Sequence, residues 1–274
     1  MARRVAVVTG SNKGIGLGVV RGLCKQFDGD VYLTARDEKR GTDAVAELQR
    51  EGLSPKFHLL DISDHASIER LRDFLKQQYG GLDVLVNNAG IAYKNSSTAS
   101  AAEQAENTMA VNFFANLNVC KTMFDILKPH ARVVNVSSVA GLLQRLSNPE
   151  MKKKIASNEY NIPQLEQIAK QYVEDVKAGV HAEKGYPKSH YSMTKLLLTA
   201  LSRVQARELQ NRNQDIVLNA CCPGYVSTDM SSHGGTKTID EGADTLIYLA
   251  LLPPNVNSPI GEFVENRKIS DWTA

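Results

Sequence analysis

The segment RVAVVTGSNKGIG, residues 4–16, decides how this chain is read. Its first six residues form a short apolar run of the kind carried by a strand buried on both faces. Gly10, Gly14 and Gly16 follow, and residues 14–27 read as a helix. A strand that turns through glycines into a helix brings bare backbone N–H groups to a helix N-terminus, where an anion is favoured. Asn12, Lys13 and Ile15 lie in the same turn. The turn is a candidate cradle for a dinucleotide pyrophosphate, with an ordinary glycine-rich turn as the alternative.

The same rhythm continues outward. Residues 30–35, 56–60, 82–87, 132–137, 216–222 and 261–264 read as further short strands. Helical patterns separate them at 39–51, 63–79, 102–127, 190–209 and 241–251. Strands this apolar, alternating with helices, predict an α/β fold, a Rossmann-type doubly wound parallel sheet of about seven strands with helices on both faces. One dinucleotide-binding catalytic domain over 1–274 is expected. Residues 141–187 break the rhythm with two charged helical stretches, and a connection this long reads as a helical insertion.

The second strand ends in Ala35, Arg36 and Asp37. An acid at the strand end would bind the ribose 2′-hydroxyl of NAD, but Ala35 stands there. Arg36 and Lys13 supply two cations near that oxygen, which points to NADP. Arg36 can also be a plain surface charge, and Asp37 can pair with it. Asp61 and Ile62, after the third strand, are placed to hold the adenine, although Asp61 can equally cap a helix.

Tyr191 and Lys195 are four apart in an apolar helical segment, so they share a face about one turn apart. A cation beside a phenol favours the phenolate, which predicts a Tyr191 pKa below the reference of roughly 10. Such a tyrosine is a usable proton donor or acceptor. A surface Tyr–Lys pair is the bland alternative. Asn112 and Ser138 complete the candidate constellation.

Composition narrows the partners. The net charge of +2 makes nucleic acid or an anionic membrane an unneeded partner. No window reaches the roughly 20 apolar residues of a membrane span, and the N-terminus reads as a strand rather than a signal peptide. The cysteines Cys24, Cys120, Cys221 and Cys222 are too irregular for a disulfide framework or a zinc site, so no metal is expected and a reducing cytoplasm is the simplest setting.

In order along the chain stand TGSNKGIG (9–16), NNAG (87–90), Asn112, NVSS (135–138), YSMTK (191–195) and Pro223-Gly224 with Val226 and Thr228. Over nearly its full length the chain thereby resembles the short-chain dehydrogenase/reductase family. Within it, the insertion and the segments TARD (34–37), LDVLVNNAGIAYK (82–94) and NACCPGYVSTDM (219–230) resemble the animal cytosolic NADPH-dependent carbonyl reductases. The resemblance implies NADPH as cofactor and reduction of ketones, aldehydes and quinones. It implies Tyr191 as general acid, and Ser138 as a hydrogen-bond donor to the carbonyl oxygen. Lys195 would tune Tyr191 and hold the nicotinamide ribose. Asn112 would hold a water beside Lys195. Asn88 would underlie the cofactor, with Val226 and Thr228 at the nicotinamide amide. Some such reductases bind glutathione or its adducts, and Tyr93, Lys94, Asn95 and Gln104 match that site. Ala140 and Tyr225 would line the substrate mouth. An alcohol or hydroxysteroid dehydrogenase and a non-catalytic NADPH-binding regulator are the competing readings.

The insertion also predicts a monomer. Ile162, Leu165, Ile168, Ala169, Tyr172 and Val176 form an apolar stripe that has to be buried, and the helices of residues 102–127 and 190–209 offer the surface. Glu166, Lys170, Glu174, Asp175 and Lys177 are expected to face solvent.

Overall fold

The computed structural model describes residues 3–94, 96–157 and 159–273. Strands β1 (Val5–Val8), β2 (Asp30–Ala35) and β4 (Leu82–Asn87) are buried at every position, as expected of strands covered on both faces. With β3 (Lys56–Leu59), β5 (Leu127–Val136), β6 (Val217–Cys222), β7 (Phe263–Glu265) and β8 (Lys268–Ile269) they form one sheet in the order β3-β2-β1-β4-β5-β6-β7-β8. All neighbouring pairs are parallel except β7 with β8. The eighth strand, a two-residue antiparallel return, goes beyond the sequence expectation because so short a run carries no pattern.

Helices α1 (Gly14–Gln26), α2 (Glu38–Arg50) and α9 (Ile239–Ala250) share one core with the sheet. The other face is covered by α3 (His65–Tyr79), α5 (Asn116–Met123) and α8 (His190–Gln210). The chain order reverses between β1 and β4. A ligand crevice in such sheets opens at the strand carboxyl ends at this point.

Two boundaries differ from the sequence reading. Residues 102–127 are not one helix. They form α4 (Ala101–Met109), a π-helical turn (Ala110–Ala115), α5 and a tight 3₁₀ turn (Phe124–Ile126). The turn is where Asn112 reaches back to the backbone after β4, and such π turns often mark functional sites. β5 also starts early, at Leu127, by pairing with Leu82 across a register shift.

The insertion holds α6 (Pro149–Ala156) and α7 (Ile162–Lys177). α7 has a reciprocal cap between Asn161 and Gln164. It packs on α4 and α8, burying Leu165, Ala169, Tyr172, Val173 and Val176. One expectation fails: Asp175 is not a solvent-facing residue but 3 % exposed. Lys184 Nζ at 2.7 Å, Gln171 Nε2 at 2.8 Å and Tyr186 OH at 3.1 Å supply the partners that make its burial tolerable. No helix among the described residues is long and apolar enough to cross a membrane.

Candidate active site

The glycine turn is built for close approach. Gly10 and Gly14 both take a φ of +58°, the left-handed region that favours glycine. A Cβ on Gly16 would sit 2.5 Å from Asn88 Nδ2. Asn88 fastens the turn by donating to the carbonyls of Thr9 at 3.0 Å and Gly10 at 2.9 Å. Helix α1 has no side-chain cap and no acidic residue in its first turn. Its leading N–H groups are thus open to an anion, and the cradle fits a dinucleotide pyrophosphate.

Asn12 is partly buried in this turn. Arg36 is exposed and has no hydrogen-bond or ion-pair partner among the described residues. Asp37 does not neutralise it, because its carboxylate accepts Arg40 N at 2.8 Å and caps α2. Lys13 differs. Its ammonium lies 2.6 Å from Asp229 Oδ2, which ties the glycine turn to the loop after β6. A phosphate would have to compete with Asp229 for Lys13, so Arg36 is the better-placed cation.

Asp61 accepts Ser63 N at 2.8 Å and closes a turn, while Asp64 is the residue that caps α3. Ile62 is 8 % exposed, and its side chain packs in the core with Ile68 and Leu71. Val226 is buried against Gly242 of α9. The Thr228 methyl lies 3.5 Å from where a Gly14 Cβ would be, which puts this loop beside the start of α1.

The four candidate reacting groups come together at the carboxyl ends of β4, β5 and β6. Asn112 Oδ1 accepts Ile91 N at 2.8 Å. Its Nδ2 donates to Ile91 O at 2.9 Å and to Thr194 Oγ1 at 3.1 Å. Lys195 Nζ donates to Val136 O at 2.6 Å and stands 5.6 Å from the Tyr191 ring centroid. The paired serines divide their work. Ser137 is buried and bonds Lys195 O and Thr199 Oγ1, whereas Ser138 is partly exposed. Ser138 Oγ accepts Ala140 N at 3.1 Å, which leaves its hydroxyl proton to donate outward.

The charges run against one expectation. Tyr191 is not lowered by Lys195. Burial pushes its phenol up to about 12, the neighbouring Cys222 thiol adds to this, and only Ser138 acts downward. Burial also lowers Lys195 to about 8. The reason is desolvation, which disfavours the charged form of each group. The vicinal cysteines face opposite ways. Cys221 packs in the α1–α9 core, and Cys222 accepts Val139 N at 3.4 Å beside the site.

Of the residues expected to line the substrate mouth, Ala140 is partly buried and Tyr225 is 57 % exposed, with Val139 and Met230 as further exposed apolar neighbours in sequence. Tyr93 OH accepts Asn107 Nδ2 at 2.7 Å. Gln104 spends its amide on Ala99 O at 2.8 Å. Lys94 is exposed, and Asn95 lies outside the described residues. The sequence reading missed Thr194, which links Asn112 to α8, although it sits inside YSMTK. It also missed Trp272, whose Nε1 donates to Gly141 O at 2.8 Å and steadies the turn after Ser138; a single tryptophan near a terminus carries no pattern. No cluster of metal-ligating side chains exists among the described residues.

A doubly wound sheet with this glycine cradle and a Ser–Tyr–Lys–Asn cluster across from it defines a dinucleotide-dependent oxidoreductase architecture. Residues 4–150 match the family described as short chain dehydrogenase. The chain is 52 % identical over 273 residues to carbonyl reductase (NADPH) 1 of Rattus norvegicus, covering 98 % of this chain and 99 % of that protein. It is 51 % identical over 271 residues to carbonyl reductase (NADPH) 1 of Homo sapiens, covering 98 % of each. Among solved structures, salutaridine reductase from Papaver somniferum superposes with a TM-score of 0.86 at 30 % identity, over 95 % of this chain and 99 % of that one. The chain belongs to the short-chain dehydrogenase/reductase family.

Proposed function

We propose that this protein reduces carbonyl compounds with NADPH. The observation that carries the reading is the meeting of Ser138, Tyr191, Lys195 and Asn112 opposite an uncapped glycine cradle, in a chain about half identical over its full length to NADPH-dependent carbonyl reductases. The whole chain works as one catalytic domain.

The turn of Gly10, Asn12, Gly14, Ile15 and Gly16 would hold the pyrophosphate, and Arg36 the 2′-phosphate. Asp61 with the Ile62 backbone would border the adenine. Val226 and Thr228 would border the nicotinamide. Bound there, NADPH supplies the hydride. Ser138 donates a hydrogen bond to the substrate carbonyl oxygen and fixes its position. As negative charge grows on that oxygen, a positioned donor stabilises it. Tyr191 then gives its proton to the oxygen. The phenol carries its proton at neutral pH. Lys195, anchored on Val136 O, offers a proton behind it, and Asn112 keeps the adjoining π turn in place.

Quinones, aldehydes and ketones are the substrate classes, entering past Ala140 and Tyr225. Binding of glutathione adducts would rest on Tyr93 and Lys94. A cytoplasmic monomer fits the four free cysteines and the self-covered α4–α8 face. The experiment is NADPH consumption with menadione and a panel of ketones and aldehydes, run beside NADP-linked oxidation of hydroxysteroids. Faster steroid oxidation, or no turnover, would overturn the reading.

A further inference from the structure

The insertion packs on the catalytic helix and bonds its first turn through a buried tyrosine. Tyr172 of α7 has no exposed surface, and its ring meets that of Tyr186 edge-on at 5.0 Å. A hydroxyl inside such an apolar cluster needs a partner. It has one: Tyr172 OH lies 2.7 Å from Nδ1 of His190. His190 is the first residue of α8 and the neighbour of Tyr191.

This turn is also held from just beyond it, by Asn112 at Thr194 and by Lys195 at Val136 O. Its cap, Ser189, accepts Ser192 N at 3.4 Å, near the long limit for a hydrogen bond. We propose that Tyr172 and His190 are positioning residues, a bond through which the insertion holds the first turn of α8 and so keeps the Tyr191 phenol beside Ser138. The assignment rests on the reading of Tyr191 as proton donor.

The bond has a required protonation state. With the proton of neutral His190 on Nε2, the Tyr172 hydroxyl donates to the Nδ1 lone pair. A proton on Nδ1 would leave the buried hydroxyl hydrogen without that acceptor. The surroundings oppose that proton. Burial and then His181, whose ring is 6.0 Å away, lower the His190 pKa, and the positive end of α8 acts in the same sense. The charged groups of the insertion are turned elsewhere: Asp175 is engaged by Lys184 and Tyr186, and no carboxylate among the described residues pairs with His190. Lys188, two residues earlier, is exposed. With the folded pKa below the reference of roughly 6.5, donation from Tyr172 to Nδ1 holds above that pH; as pH falls through the lowered value Nδ1–H donates instead and the hydroxyl hydrogen is left unpartnered.

The test compares Tyr172→Phe, His190→Leu and His190→Asn in the menadione reaction, with NADPH affinity from fluorescence titration and folding from circular dichroism. A displaced proton donor lowers turnover steeply, so Tyr172→Phe and His190→Leu should lose roughly 10- to 100-fold in kcat with NADPH affinity and fold unchanged. His190→Asn, which retains an acceptor near the Nδ1 position, should recover most of kcat and lack the acidic fall due to His190. Full kcat in Tyr172→Phe and His190→Leu, equal losses in NADPH affinity or folding, or no advantage of Asn over Leu would overturn the positioning role while leaving the reduction reading intact. A parent protein that does not consume NADPH would overturn both.

Discussion

Lys195 Nζ donates to the Val136 carbonyl at 2.6 Å, two residues before Ser138, so the helix bearing Tyr191 is pinned to the strand that delivers the serine. The bond is made by a lysine that is 5 % exposed. Burial lowers its pKa to about 8, so the ammonium costs stability wherever it is charged.

That cost has a sign in pH. The unfolded chain binds more protons than the folded one between about pH 8 and the unfolded lysine value of about 10.4, so this residue's contribution rises with pH there. Lys195→Met should be more stable than the parent at pH 7, by at most about 3 kcal/mol. The orphaned Val136 carbonyl takes back about 1 kcal/mol of that. The gap should narrow towards pH 10.4. Urea unfolding at several pH values measures it, and a gap independent of pH would contradict the burial argument.

Asn112 holds Ile91 by both backbone groups from within the π turn. Asn112→Ala leaves the partly buried N–H and carbonyl of Ile91 short of partners, so a loss of about 1–3 kcal/mol is expected. Chemical denaturation gives the value. Turnover should fall together with stability, because the same side chain reaches Thr194 on the catalytic helix.

On the proposed reading, Arg36 holds the 2′-phosphate and sets cofactor choice. Arg36→Gln should raise KM for NADPH and leave KM for NADH nearly unchanged. A lost charge-assisted hydrogen bond of about 1.5–3 kcal/mol corresponds to roughly 10- to 160-fold. Steady-state kinetics with both cofactors decides this, and an unchanged NADPH preference would move the role to Lys13. An acid at position 35 is a poorer probe, since Ala35 is 3 % exposed and the new carboxylate would be buried.

The face of α4 and α8 that could receive another copy is covered by α7. Light scattering over micromolar concentrations should therefore give a mass near 30.1 kDa. A stable dimer would show that the insertion leaves a symmetric surface free.

Much of this was legible in sequence because each part has a local cause. β1 and the glycine turn were read from an apolar run and from glycines whose φ values need them. The α7 stripe was read from helical spacing, and Tyr191 and Lys195 from their four-residue separation. What escaped depended on distant partners. Asp175 looked like a solvent residue until Lys184 and Tyr186 closed around it. The π turn at Asn112 has no composition of its own and exists through Ile91. The Tyr191 pKa went the other way because desolvation, invisible in spacing, is its largest influence.

Tyr191 is the proposed donor of the proton to a carbonyl reduced by NADPH. The direct measurement is single-turnover NADPH oxidation with menadione by the parent and Tyr191→Phe, alongside NADPH titration of both. General acid catalysis contributes about 10²- to 10⁴-fold, so the variant should lose that much in rate while its NADPH affinity stays the same. A Tyr191→Phe protein that oxidises NADPH at the parent rate would contradict the account.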